Sequence, residues 1–407
     1  MKIGYIASHI YLHTFEINEA SELVRQHPGA RVYSFYRPRG SQLQKQRAAE
    51  IDGDIVSWTF GSILKSLGVV RRHPIGFLKA AMALSYHSLA NPVYWVKNFI
   101  AFLIALPILD DAERHGVTHL HANFGSSPAT IAWLGRRVLG TGMSVTYHAF
   151  DIYSNASVSR DPLKRQKLLD ADLVVSVHED GRQVLQRIAP EADGDKFRVI
   201  RICVVFEPEA KTEPLPEPPL LLAAGNLVPK KGFDVLVRAV GVLKRRGVPV
   251  RLRFLGEGEQ RRVLEGLIRE QGVRDRVELR GYFQHKELAE HLADAAAFVV
   301  PSLVTREGQR DGIPTVGVEA WLSRTPVIAS LVGGMGEVIK NDETGLVFPP
   351  GDSDALAEAV IRLLNSPELQ GTIVAGGHRM AQELFSSRKN VSSLLDEIRS
   401  RRSAPTA

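Results

Sequence analysis

Between Val299 and Ser330 the chain reads VVPSLVTREGQRDGIPTVGVEAWLSRTPVIAS, which sets Asp311 and Glu319 eight positions apart across a loop that leads into a helix. Ionised carboxylates accept hydrogen bonds and donate none, so such a pair suits the gripping of hydroxyl groups. Glu307, Arg310, Gly308 and Gly312 share the loop, and Pro314 can open the helix that carries Glu319. A second loop, GNLVPKKG, places Lys230 and Lys231 after a strand ending at Gly225, with Gly232 at a helix entrance. Free N–H groups at a helix start, joined by an ammonium, suit a phosphate. Either loop alone reads equally well as solvated charge; together they describe a strand-end site for a ligand with hydroxyls and phosphate.

Earlier in the chain, VTHLHANFG and VTYHAFDIY set His119, His121, His148 and Asp151 at strand ends. His119 and His121 share one side of a strand, but the set lacks zinc-type spacing, and no metal is expected. One histidine is expected to face a cleft between domains, the others to be satisfied inside. In FLGEGEQRR, Gly256 and Gly258 match the start of a dinucleotide fingerprint, yet Arg261 stands where its third glycine belongs. A plain strand-to-helix turn is the better reading. Among motifs of other chemistries, G-x-S-x-G, the P-loop, H-E-x-x-H and C-x-x-C do not occur.

The elements that must position these residues alternate between strand and helix. KIGYIAS, ARVYSFY, VTHLHANF, MSVTY and DADLVVSVH read as strands with helices between them, and Ile51 to His115 is mostly helical. EPEAKTEPLPEPP, from Glu207 to Pro219, contains five prolines in thirteen residues and reads as a stiff, extended linker. Beyond it LLLAAG, VRLRFLG, RVELRG, AAAFVVP, TPVIAS and TGLVFP alternate with helices. The pattern predicts an α/β chain of two doubly wound domains: residues 1–206, the linker 207–219, residues 220–380, and a C-terminal segment 381–407 whose helix returns to the first domain before a tail.

A length of 407 residues fits that division. The single cysteine, Cys203, leaves no internal disulfide and fits a reducing, cytoplasmic setting, and MKIGYIAS reads as a strand rather than a signal peptide. FIAFLIALPIL, residues 99–109, is too short to span a bilayer and is interrupted by Pro107. It reads as a buried helix, or as a face docking on a membrane. The net charge of +6 includes clustered cations at Arg71, Arg72, His73 and Lys79 and at Arg399, Arg401 and Arg402. Such clusters suit anionic headgroups or a diphosphate-lipid. No basic patch interleaved with aromatics marks a nucleic-acid reader.

Taken together, HTFEINEASEL, HLHANFGSSPATIAWLGRRVLG, TYHAFDIY, GNLVPKKGFDVLVRA, FLGEGEQRRVLE and DGIPTVGVEAWLSRTPVIAS resemble the retaining glycosyltransferases of family 4, in the exopolysaccharide or colanic-acid branch. The resemblance implies the GT-B fold, two Rossmann-like domains facing across a cleft. It implies a metal-independent, cofactor-free transfer of sugar from a UDP- or GDP-linked donor to a glycan or diphosphate-lipid acceptor. By position it implies that Asp311 contacts donor hydroxyls, Glu319 the ribose, and Lys231 the diphosphate. Gly225 and the amides of Gly312, Ile313 and Thr315, around Pro314, then border the donor, Gly281 and Tyr282 the base, and His148 the reacting sugar. Three departures stand out: Asn226 replaces the usual arginine, Asp311 replaces a glutamate, and Cys203 and Val205 replace a glycine and an aspartate. Arg310 and Arg201 are the candidates to replace the missing cation. Two other functions stay open, a sugar-nucleotide-binding module without catalysis and a nucleotide-sugar epimerase.

Overall fold

The computed structural model describes residues 1–8, 14–35, 51, 55–89, 91–153 and 161–403. The chain divides into two compact units, Met1–Val205 with Ser387–Ala407, and Phe206–Ser386. The tail expected at the end of segment 381–407 lies outside the described residues, which stop at Ser403.

Unit 1 begins β1 (Ile3–Ala7), α1 (Thr14–Gln26), β2 (Arg31–Ser34) and β3 (Ile55–Ser57). Four helices follow, α2 (Phe60–Lys65), α3 (Leu67–Arg72), α4 (Pro74–Ser88) and α5 (Pro92–Arg114). Then come β4 (His119–Asn123), α6 (Ser127–Leu139), β5 (Gly142–Tyr147), α7 (Ala149–Tyr153), α8 (Lys164–Asp170), β6 (Leu173–Ser176), α9 (Glu179–Ile188) and β7 (Phe197–Val199). All ladders are parallel, in the order β3-β2-β1-β4-β5-β6-β7. The central strands β1, β4 and β5 are buried almost throughout, as parallel strands covered on both faces must be.

Helix α5 runs through Pro107, so the expected interruption of the apolar run is overturned. Proline removes one backbone hydrogen bond and typically costs about 3 kcal/mol inside a helix. Leu106, Pro107, Ile108 and Leu109 are all buried against the core, and that packing outweighs the loss. By length and composition α5 could cross a bilayer, yet half of its most apolar window is buried within the chain.

Unit 2 opens with the proline-rich stretch, which has no regular secondary structure. The partly buried Lys211 pins it there, its Nζ donating to the carbonyls of Leu292 and Ala295 and to Thr325 Oγ1. The sheet then forms from β8 (Leu220–Ala224), β9 (Arg251–Leu255), β10 (Val277–Gly281), β11 (Ala297–Val300), β12 (Val327–Ser330) and β13 (Leu346–Phe348). Between them lie α10 (Phe233–Arg245), α11 (Arg261–Glu270), α12 (His285–Asp294), α13 (Thr315–Leu322), α14 (Met335–Val338), α15 (Ser353–Leu364) and, last, α16 (Pro367–Leu384). On α10 the buried Phe233, Leu236, Val237, Val240 and Leu243 follow helical spacing and share the core with Leu221, Leu252 and Phe254 of the sheet. The strand order β10-β9-β8-β11-β12-β13 reverses direction between β8 and β11.

The chain then re-enters unit 1 as α17 (Ser387–Ser403). Its Val391 and Leu395 pack with Ile3, Tyr5 and Leu23, and its Leu394 and Ile398 with Leu173 and Val175. Asn390 Nδ2 donates to the carbonyls of Arg201 and Ile202.

Candidate active site

Ligands of open parallel sheets bind beyond the carboxyl ends of the strands, where the strand order reverses. In unit 2 that point lies between the loops after β8 and β11, the two loops that carry the paired lysines and the acids. Their backbones are tied directly, the Leu303 N–H donating to the Lys230 carbonyl at 2.8 Å. A single turn of 3-10 helix, Pro229–Lys231, turns both ammonium groups toward one carboxylate. Lys230 Nζ lies 2.9 Å from Asp311 Oδ1 and Lys231 Nζ 2.8 Å from Asp311 Oδ2. Ser302 Oγ donates to Asp311 Oδ2 at 3.1 Å.

Asp311 is 5% exposed. Burial alone would push its carboxyl up, but the Lys231 and Lys230 charges outweigh burial and hold it down at about 2. Asp311 is therefore an anion throughout the neutral range. Sequence reasoning placed both Lys230 and Lys231 in this loop but gave a role to Lys231 alone; only the turn geometry aims both at Asp311.

Glycine is required where these loops touch. A Cβ on Gly232, whose φ is +61°, would lie 1.9 Å from the Pro301 carbonyl oxygen. One on Gly256 would lie 2.0 Å from the Gly225 carbonyl oxygen, and one on Gly258 2.4 Å from that of Leu227. The glycine pair read above as a plain turn therefore lets the β9 loop press against the β8 loop. Main-chain bonds stitch the contact, Gly225 N–H to Leu255 O, Leu227 N–H to Glu257 O, and Gly256 N–H to Gly281 O at 2.7 Å. Gly281 thus stands at the same sheet edge, while the Tyr282 side chain beside it is exposed.

Gly312, Ile313 and Pro314 are buried and lead directly into α13, with Pro314 as its N-cap and Thr315 as its first residue. Glu319 lies on α13 and is 3% exposed. The free N–H groups of a helix start, two ammonium groups and a buried anion thus converge on one edge of unit 2, a set that suits a phosphorylated, hydroxyl-bearing ligand. Asn226 follows Gly225 in the β8 loop, and the partly buried Arg310 precedes Asp311 in the same unit. Arg201 belongs to unit 1, where its Nη1 donates to the Val177 carbonyl at 3.0 Å.

In unit 1 the strand order reverses between β1 and β4. His148, just past β5, is buried, with its ring 4.8 Å from that of Phe15 and 4.5 Å from that of Phe124. His148 Nε2 lies 2.5 Å from Asn123 Oδ1, and the Asn123 amide donates on to the Tyr5 hydroxyl at 2.6 Å. With an amide oxygen as partner, Nε2 is the protonated nitrogen. The His148 backbone N–H donates to Asp151 Oδ2 at 3.0 Å. Burial pushes the Asp151 carboxyl up to about 6, against backbone N–H bonds and nearby lysines that oppose the shift.

Two buried lysines hold this corner. Lys164 Nζ donates to the Asp151 carbonyl, and Lys167 Nζ to the carbonyls of Gly125 and Ser126 while pairing with Asp161 at 2.7 Å. Phe124 holds φ at 112°, a rare conformation for a non-glycine residue, and a Cβ on Gly125 would strike the Tyr147 ring. His119 and His121 turn elsewhere: His119 Nε2 and His121 Nδ1 each lie 2.8 Å from Ser144 Oγ, and His121 Nε2 lies 3.5 Å from Glu19. No cluster of metal-ligating side chains occurs among the described residues.

With this geometry in hand, likeness to known proteins narrows the chemistry. Residues 206–379 match the family described as Glycosyl transferases group 1. The putative colanic acid biosynthesis glycosyltransferase WcaL of Escherichia coli K12 is 31% identical over 255 residues, 61% of this chain and 62% of that protein. The alignment thus spans under two thirds of that relative. Alpha-D-kanosaminyltransferase of Streptomyces kanamyceticus is 27% identical over 295 residues, 68% of this chain and 75% of that protein. The crystal structure of Anabaena Alr3699/HepE in complex with UDP superimposes with a TM-score of 0.73 at 16% identity, covering 98% of this chain and 100% of that one. That likeness establishes the fold alone. The family match is thus confined to unit 2, within residues 206–379, and over nearly the whole chain the likeness to solved structures shows the GT-B fold.

Proposed function

We propose that the chain moves a sugar from a nucleoside diphosphate donor, UDP- or GDP-linked, to a glycan or lipid-linked acceptor, with retention at the sugar carbon and without a metal. The observation that carries this reading is the Lys230–Asp311–Lys231 cluster at the strand reversal of unit 2. In the proposed complex the two ammonium groups turn to the diphosphate, and Asp311, released from them, accepts from a sugar hydroxyl. Glu319 takes the ribose, Gly281 and Tyr282 border the base, and unit 1 supplies acceptor-side groups, His148 among them. As the bond to the leaving diphosphate breaks, fixed positive charge stabilises the developing anion. Lys230 is the first choice to supply the cation that Asn226 lacks, because it already stands beside Lys231. Arg310 is the second choice and Arg201 the third.

Calorimetric titration with UDP and GDP tests the donor site. Lys231→Ala is expected to weaken binding by at least about tenfold, the loss of one charge-assisted hydrogen bond, and Lys230→Ala to do so more strongly than Arg310→Ala or Arg201→Ala. Full affinity in the Lys230→Ala/Lys231→Ala double variant would refute the assignment. Binding of a nucleotide sugar without transfer over a broad acceptor panel would favour a binding module, and conversion of donor without acceptor an epimerase.

A further inference from the structure

The part of unit 1 farthest in character from the donor site is α2 to α5. From residue 55 to residue 109 the sequence contains no aspartate or glutamate, while it contains Lys65, Arg71, Arg72, Lys79 and Lys97. Of the twenty-one exposed large apolar side chains among the described residues, thirteen fall between Phe60 and Ile100. That concentration is unlike the single, scattered apolar residues of an ordinary surface.

Helix α4 shows how the surface is made. Phe77, Ala80, Leu84 and Ser88 form its buried stripe, and Ile75, Leu78, Met82, Tyr86 and Leu89 follow helical spacing on the side turned outward. A helix apolar on both faces belongs in a larger core or against lipid. Helix α5 repeats the pattern: Tyr94, Asn98, Ala101 and Ile104 face inward, and Val93, Val96 and Ile100 outward. The two helices are locked together, Asn98 Nδ2 donating to Ser88 Oγ at 2.9 Å. On the outer side Trp95 and Phe99 stack with ring centroids 5.5 Å apart, and the Nζ of the exposed Lys97 lies 5.3 Å from the centroid of the inward Tyr94 ring.

We infer that the outer faces of α4 and α5 form a monotopic docking surface for a bilayer containing anionic phospholipid. Charge complementarity selects this occupant over a second copy of the chain or a protein partner. Lys65, Arg71, Lys79 and Lys97 are exposed, and none is ion-paired among the described residues. Arg72 is instead held by Asp110 and Glu113. A surface of apolar and aromatic side chains rimmed by cations alone matches the acyl and headgroup layers of an anionic leaflet. Trp95 and Tyr86 suit the interface between them, and the lysine stems lie along apolar surface while their heads reach phosphates. The inner stripe of α5 is committed to the core of unit 1, so the helix lies on the bilayer rather than crossing it.

The inference is independent of the donor assignment, and its test uses the full chain without nucleotide. Flotation with phosphatidylcholine vesicles containing phosphatidylglycerol is expected to carry the protein, phosphatidylcholine alone to carry less, and high salt to weaken the contact. Leu78→Asp/Met82→Asp is expected to reduce partitioning by at least about tenfold, since it sets two charges where apolar groups would enter. The melting temperature and far-UV circular dichroism of that variant, unchanged, show that it is folded. Brominated lipid is expected to quench Trp95, and the quenching to vanish in Trp95→Phe. No flotation at low salt, or flotation and quenching indifferent to these substitutions, overturns the inference. So does sedimentation showing a stable dimer that Leu78→Asp/Met82→Asp dissolves, which would assign the surface to a second copy.

Discussion

Replacing Asp311 by asparagine removes the anion that two lysines share while keeping the size of the side chain, and the stability effect can be worked from the structure. The carboxyl moves from its ordinary 3.8 to about 2 on folding, and each pH unit corresponds to about 1.36 kcal/mol. Ionised Asp311 therefore contributes about 2.5 kcal/mol at neutral pH. This is smaller than the ~3–5 kcal/mol for breaking a fully buried pair, because water reaches Lys230 and Lys231, whose side chains are 27% and 18% exposed. The sign follows from the lowered value: the stabilisation is complete above the unfolded pKa and is lost as pH falls through the folded one. The gap between wild type and Asp311→Asn should be about 2.5 kcal/mol at pH 7, about half that near pH 3, and close to nothing below about pH 2. Trp321 is the one tryptophan of unit 2, so fluorine NMR of fluorotryptophan-labelled protein follows that unit by itself during urea unfolding. A gap that stays constant from neutral to acid pH, or no gap at pH 7, would refute the electrostatic account.

Two further outcomes are expected. Gly256→Ala should destabilise unit 2 by about 2 kcal/mol or more, because φ is +142° and the new Cβ meets a backbone oxygen, whereas Gly266→Ala, in the open middle of α11, should stabilise by about 0.8 kcal/mol; urea melts of both variants check the contrast, and equal effects would count against the loop contact. Asp151 behaves oppositely to Asp311, since its folded value is raised to about 6: its contribution is present below the unfolded pKa and lost as pH rises through about 6, so Asp151→Asn should flatten the stability of unit 1 between about pH 4 and pH 6, and an unchanged slope in thermal melts over that window would overturn it.

The alternation of apolar runs with helical patterns made the six strands of unit 2 and five of the seven in unit 1 legible in the sequence, because parallel strands covered on two faces announce themselves as apolar segments; the edge strands β3, inside the stretch read as mostly helical, and β7 are three residues each and too short to show a pattern. Asp311 and Lys231 were legible as strand-end residues, but the approach of Lys230 to the same carboxylate depends on one 3-10 turn. The role of Gly256 and Gly258 was hidden for a related reason. Their contact is with Gly225 and Leu227, some thirty positions earlier, and spacing within a motif carries no information about a distant backbone. The course of α5 through Pro107 was decided by tertiary packing over local propensity. The outward apolar face of α4 could not be told from its inward one, since the helix is apolar on both. His119 and His121, read as strand-end histidines, resolve into partners of one hydroxyl, Ser144, a residue with no motif of its own.

The return of α17 to unit 1 makes unit 2 an insertion within the chain of unit 1. During vectorial synthesis every residue of unit 2 emerges before the helix that closes unit 1 against Ile3, Tyr5, Leu23, Leu173 and Val175. Unit 2 can thus finish folding while unit 1 still lacks its last helix, so premature termination after Ser386 would leave a complete unit 2 joined to an open unit 1.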